Sequence, residues 1–155
     1  VADAEPERND APKIDMSYLE GTIGYAIRRA QLAVFADIYR SFGKDGLTVV
    51  KFSVLAVIAD NPGINQAMLA EALDVERPRM VPLLNDLEKS GFVSREANLH
   101  DRRNKSLKLT DAGRLMLDEH KRRFSDHEAR LSAWLAESRP EDVLSLLWKV
   151  ARLRA

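Results

Sequence analysis

Between residues 76 and 108 the chain places Arg77, Arg79, Lys89, Arg95, Arg102, Arg103, Lys105 and Lys108 against five acids, with His100 in addition. Guanidinium and ammonium groups crowded this way donate charge-assisted hydrogen bonds to phosphate, and arginine also pairs bidentately with guanine O6/N7. Arg77 and Arg79 stand at the start of a predicted helix, where the macrodipole disfavours cations, so a partner of opposite charge is the better explanation of them. Gln66, just inside a helix capped by Asn65, is in position for a phosphate contact. Pro78, Pro82 and Asn85 share the outward side of the helix that begins at Arg77, where proline can meet a thymine methyl but donates nothing. The bland alternative is a solvated basic face. Over all 155 residues, 24 basic and 24 acidic side chains cancel. The distribution is uneven, because residues 1–20 hold six acids against Arg8 and Lys13.

Other chemistries are poorly provided for. The absence of cysteine removes disulfides, thiol nucleophiles and sulfur-based zinc sites. There is no G-x-S-x-G, no P-loop and no dinucleotide-binding glycine pattern. Of three histidines, His120 and His127 are seven apart on one helical stretch without a completing ligand set. No catalytic residue, metal site or cofactor is therefore expected. No apolar run reaches the length of a membrane span and no signal peptide is visible, so a cytoplasmic domain without membrane contact is the expectation. The chain opens on Val1 instead of Met, which points to a trimmed or omitted start.

These side chains need elements to hold them. Residues 1–15, rich in Ala, Pro and acids without period, read as a mobile tail. Tyr18 to Phe42 reads as one helix with two apolar stripes, Ile23, Ile27, Ala30, Val34 and Ile38 on one side and Tyr18, Tyr25, Leu32, Phe35, Tyr39 and Phe42 on the other. One stripe suits its own domain, and the other suits a second subunit or a ligand. Thr48 caps a second helix, with Leu47 and Phe52 as a hydrophobic staple, and Asn61-Pro62-Gly63 breaks it. Asn65 caps a third, with Met68, Leu69, Ala72 and Leu73 as its buried side. After the turn Asp74-Val75 a fourth runs from Arg77 to about Ser90, with Met80, Leu83, Leu84 and Leu87 inward and Gly91 ending it. Pro82 inside it is expected to kink or loosen its first turns. Phe92–Arg95 and Ser106–Leu109 alternate as two strands around a polar loop, Glu96–Lys105. Thr110 caps a long helix to about Glu137, and Ser138–Glu141 is a capping box for a last one.

Two short helices on a tight turn followed by a basic hairpin have the shape of a winged helix-turn-helix. The stretches Leu69–Leu73, Glu76–Arg79 and Leu87–Val93 resemble the reading unit of the MarR family of bacterial transcription regulators. Asp101-Arg102-Arg103 followed by Leu109-Thr110-Asp111-Ala112-Gly113 is similar to that family's D-x-R … L-T-x-x-G pattern. The resemblance implies a mainly α fold with a β-hairpin wing and a homodimer joined by its terminal helices. It divides the chain into an N-terminal dimerisation helix at 16–45, a DNA-binding domain at 46–113 and C-terminal dimerisation helices at 114–155. Trp134 and Trp148 would then fill the dimer core. It also implies double-stranded DNA of pseudo-palindromic sequence as partner, Arg103 in the minor groove, and Asp101 bracing it.

Pockets in the family take phenolic acids and other small aromatics. The phrase Ile27-Arg28-Arg29-Ala30-Gln31-Leu32 is similar to a subgroup that answers to hydroxycinnamate-type acids or their CoA thioesters. Tyr25, Arg28, Leu32, Phe35 and Phe52 are the expected effector lining, with Arg28 the anchor for an anion. Arg28 has a second reading, as an interface ion pair or an edge residue that snorkels to water. The expected function is a ligand-released repressor. The alternative is a winged-helix module that meets a protein, distinguished from DNA binding by the steep salt dependence of phosphate contacts.

Overall fold

The computed structural model describes residues 14–43, 46–97, 105–135 and 138–153. The order is α1 (Ser17–Glu20), α2 (Ile23–Phe42), α3 (Val49–Asp60), α4 (Gln66–Ala72), α5 (Arg77–Lys89), β1 (Val93–Ala97), β2 (Lys105–Leu109), α6 (Asp111–Trp134) and α7 (Pro140–Ala151). It is a mainly helical fold with one two-stranded antiparallel hairpin. The chain divides into two compact units, residues 1–34 and 35–155, so the division falls inside α2.

The expected single first helix is two. Its first turn ends at Gly21, and Thr22 restarts the backbone ladder by accepting from Ala26 N while its hydroxyl donates to Leu19 O at 2.8 Å. Along α2 only Asp37, Ile38 and Phe42 are buried. The two expected stripes thus collapse to one short contact at the C-terminal end, where Ile38 and Phe42, four apart, share a face.

In the second unit the expected caps of α3 and α4 form, whereas α7 starts behind Arg139 with no side-chain cap bond, which corrects the expected Ser138–Glu141 capping box. Thr48 Oγ1 accepts from Lys51 N, and Asn65 Oδ1 accepts from Met68 N at 2.9 Å, each cap being worth about 1 kcal/mol. The buried side of α4 is Leu69 and Ala70; Met68 and Ala72 are exposed. The seven-residue helix is too short for its whole apolar set to meet α3 and α5. Asp74 makes the turn into α5 with φ 50, a conformation that Asp tolerates better than most residues. Met80, Leu84 and Leu87, at i, i+4 and i+7, close α5 onto Val54, Leu55 and Ile58 of α3, Leu69 of α4, and Val93, Leu107 and Leu109 of the hairpin.

The helix ends in a Schellman motif, with Phe92 N donating to Leu87 O and Gly91 N to Glu88 O, both at 2.9 Å, and Gly91 at φ 76. The strands reach further than expected: Ala97 pairs with Lys105, so Glu96, Ala97 and Lys105 are strand rather than loop. The L-T-x-x-G pattern acquires a physical reason. Thr110 Oγ1 donates to Gly91 O at 2.6 Å and accepts from Gly113 N at 3.0 Å. A Cβ on Gly113 would lie 2.0 Å from Phe92 O, so α6 approaches the hairpin closely enough that only glycine fits.

A polar latch that no local pattern announces joins α2 to α6. Asp37 Oδ2 accepts from His127 Nδ1 at 2.7 Å and from Arg130 Nη2 at 2.7 Å and Nε at 3.1 Å, and Arg130 also reaches the Ser41 hydroxyl. Arg130, then His127, hold the Asp37 carboxyl well below the usual carboxylate range, against burial that pushes it up. His127 thus has a structural partner 90 residues away. Below the latch, Phe52 packs edge-on to Phe42 and stacks on Phe124.

Candidate nucleic-acid interface

α5 has its buried ridge at Met80, Leu84 and Leu87, and at about 100° per residue the opposite ridge carries Pro78, Pro82 and Lys89. All three are exposed. The helix continues through Pro82 to Lys89, with proline also in its first turn where the missing N–H costs nothing. The bond lost is the one to the Pro78 carbonyl, which lies on the outward side. Two clefts flank this outward ridge.

The first, of about 410 Å³, is lined by Asn65, Gln66 and Ala67 from the start of α4, Arg77, Val81 and Asn85 from α5, Arg95 from β1, and Lys105 and Leu107 from β2. The hairpin is held against α4 by backbone: Gly63 N donates to Leu107 O, Leu107 N donates to Ile64 O, and Asn65 bridges Ser106. Five of the expected contacts, Gln66, Arg77, Asn85, Arg95 and Lys105, are therefore brought to one place by four elements. No carboxylate lines this cleft among the described residues. Arg95 is also engaged within the protein, its Nη1 2.8 Å from Glu88 Oε2 and its Nη2 2.8 Å from Asn85 Oδ1. Arg77 and Lys105 are exposed.

The second cleft, of about 770 Å³, lies on the other flank. Its lining is Tyr39 of α2, Thr48 and Val50 of the α3 start, Asp74 and Val75 of the turn, and Glu76, Arg79, Pro82, Leu83 and Asp86 of α5. Arg79 and Pro82 thus belong with this cleft and not with Arg77. Asp86 receives Lys51 Nζ at 2.7 Å, a contact that draws its carboxyl below the ordinary range. Asp101, Arg102 and Arg103 lie outside the described residues, as does His100.

The residues expected to line an effector site are placed as follows. Phe52 is a core residue, 8 % exposed between Phe42 and Phe124, and it lines neither cleft. Its staple role with Leu47 drives it inward instead. Phe35 is exposed and packs edge-on to Tyr39. In the first unit Tyr25 accepts from Arg29 Nη1 at 3.3 Å, Leu32 is exposed, and Arg28 is exposed without an ionic partner among the described residues. Tyr39, Val50, Val75 and Leu83 are apolar cleft residues outside the expected effector set; the sequence places Tyr39 in one of two apolar stripes of its helix, Val75 in a turn and Leu83 on the inward side of its helix. The only signal for Tyr39, Val50 and Leu83 was the surplus of apolar positions on their helices.

A reading helix offered by a tight turn, with a β-wing anchored to the helix before it, is the arrangement of a winged helix-turn-helix. Residues 45–104 match the family model described as MarR family. A protein of Thauera aromatica named for transcriptional regulation of the hcr operon is 30% identical over 149 residues, covering 96% of this chain and 90% of that one. The chain belongs to the MarR family of transcriptional regulators. Its fold is similar to that of the transcriptional repressor CouR bound to a 23-mer DNA duplex, with TM-score 0.86 and 38% identity over 91% of this chain and 100% of that chain. It is similar also to CouR bound to p-coumaroyl-CoA, with TM-score 0.82 and 36% identity over 92% and 100%.

Proposed function

We propose that the protein is a homodimeric transcriptional repressor of the cytoplasm that holds a pseudo-palindromic DNA duplex and releases it when an aromatic acyl-CoA thioester binds. The observation that carries the reading is the first cleft: Gln66, Arg77, Asn85, Arg95 and Lys105 converge on it without an opposing carboxylate in its lining. Groups rich in donors, set beside a helix narrow enough for the major groove, suit phosphates and purine edges. Arg102 and Arg103 extend the proposal to the wing tip, with Asp101 bracing Arg103. Pro78, Arg79 and Pro82 are the remaining α5 contacts. No catalytic role is assigned to any residue.

For the effector, the second cleft supplies apolar walls in Tyr39, Val50, Val75 and Leu83. Its charges are Asp74, Glu76 and Asp86 against Arg79, with Lys51 already committed to Asp86. A free carboxylate entering beside three acids meets repulsion, whereas a thioester carbonyl is neutral. For the acyl end that enters the cleft this favours the thioester of a hydroxycinnamate-type acid over the free acid, the CoA phosphates requiring cationic groups outside the cleft, in line with the likeness to CouR bound to p-coumaroyl-CoA. In the first unit, Tyr25, Arg28 and Leu32 are proposed effector contacts, Arg28 for an anionic group; in the second unit Phe35 is proposed as an effector contact on its own.

The test starts from a pool of randomised duplexes. Wild-type protein is expected to enrich a two-fold symmetric sequence, and fluorescence anisotropy on that duplex should show release by p-coumaroyl-CoA at lower concentration than by p-coumarate. Release by free coenzyme A as readily as by the thioester would reject the effector assignment.

A further inference from the structure

We propose that Asn85 meets DNA as a hydrogen-bond donor only, because Arg95 holds its carbonyl, and that it therefore selects guanine over adenine at one position of each half-site. This rests on the DNA-binding reading above and specifies one of its base contacts. Asn85 stands on the same flank of α5 as Arg77 and Val81, eight and four residues before it, and opens onto the first cleft. Arg95 arrives from β1 and places one guanidinium arm 2.8 Å from Asn85 Oδ1 and the other 2.8 Å from Glu88 Oε2. Its side chain is only 17% exposed, so the guanidinium is set into the seam between strand and helix.

Arginine has donors and no acceptor and keeps its proton at any ordinary pH. The Asn85 atom facing it is therefore the oxygen, which settles an amide orientation that only the hydrogen-bond network can decide. The amide is planar, so its Nδ2 branch is turned away from Arg95 with two N–H groups to offer. An unconstrained asparagine pairs with adenine by accepting from N6 and donating to N7. That pairing would need the oxygen's second lone pair to accept from N6 close beside Arg95, bringing two donors and a full positive charge together. Guanine presents acceptors at both N7 and O6 and has no such conflict. Arg95 acts here as a positioning residue, and Glu88 fixes its second arm.

The experiment sequences the duplexes that wild-type protein, Asn85→Ala, Arg95→Met and Arg95→Lys each enrich from a randomised pool, with circular dichroism showing that each variant is folded. Wild type is expected to favour guanine over adenine about tenfold at one half-site position, as one good base contact allows. Asn85→Ala, a change at an exposed residue, should flatten that position and no other. Arg95→Met should turn it toward adenine by releasing the carbonyl, and Arg95→Lys, which keeps a donor there, should restore guanine. An adenine preference in wild type at the Asn85-dependent position overturns the inference. So does a guanine preference that survives either Asn85→Ala or Arg95→Met. If wild type enriches no sequence at all, the DNA-binding reading itself fails and takes this inference with it.

Discussion

Helices α5 and α7 are built alike and end in opposite circumstances. They have 13 and 12 residues, each carries proline in its first turn and lysine in its last, and each has an apolar face at helical spacing. In α5 that face is sealed: Met80, Leu84 and Leu87 touch α3, α4 and the hairpin. In α7 nothing is buried, and Leu147 and Trp148 are 52% and 58% exposed. Amphipathic period reports that a face is to be covered; it does not say by which chain. The difference lies in what surrounds each helix. α5 is clamped at both ends, by the Asp74 turn and by the Gly91–Thr110–Gly113 lock, so its own unit closes around it. The α7 face, with Leu144 and Val150, is an apolar patch that suits a second copy of the chain.

The contrast breaks most sharply at Leu84. Leu84→Ala removes a fully buried side chain and is expected to cost about 2–5 kcal/mol of unfolding free energy, read as a lower urea midpoint with little change in slope. A loss below about 1 kcal/mol would mean that α5 is not sealed as described. At α7 the expected effect is on assembly. Leu147→Glu places a charge on the face assigned to the second copy and should weaken dimerisation about tenfold or more, about 1.4 kcal/mol. Sedimentation equilibrium should then shift toward the monomer while far-ultraviolet circular dichroism holds. An unchanged dimer would remove α7 from the interface.

What the sequence revealed follows the range of the interaction. Thr48, Asn65 and Thr110 cap the helices that follow them and Gly91 ends the one before it, and these local roles as caps and stops were legible one by one. The cluster of Gln66, Arg77, Asn85, Arg95 and Lys105 was legible because the helix-turn-helix and wing imply which elements meet. The latch of Asp37 to His127 and Arg130 was not, since 90 or more residues separate its partners and no local period marks them. The packing of Phe52 was not legible for a related reason: aromatic surplus looks the same whether it lines a cleft or fills a core, and Phe42 and Phe124 reach it from other helices. Arg79 was paired with Arg77 by proximity in sequence, but two residues along a helix is about 200° of rotation, enough to put it on the other cleft.

The central claim is that the cleft between α4, α5 and the wing engages the DNA backbone and base edges. The most direct measurement is the dissociation constant of the selected duplex against salt concentration for wild type and Arg77→Ala. Wild type should show a steep linear fall of log affinity with log salt. If Arg77 neutralises a phosphate, Arg77→Ala should lower that slope by about 1 and weaken binding evenly across sequences. A salt-independent affinity, or an Arg77→Ala protein indistinguishable from wild type at every salt concentration, would contradict the account.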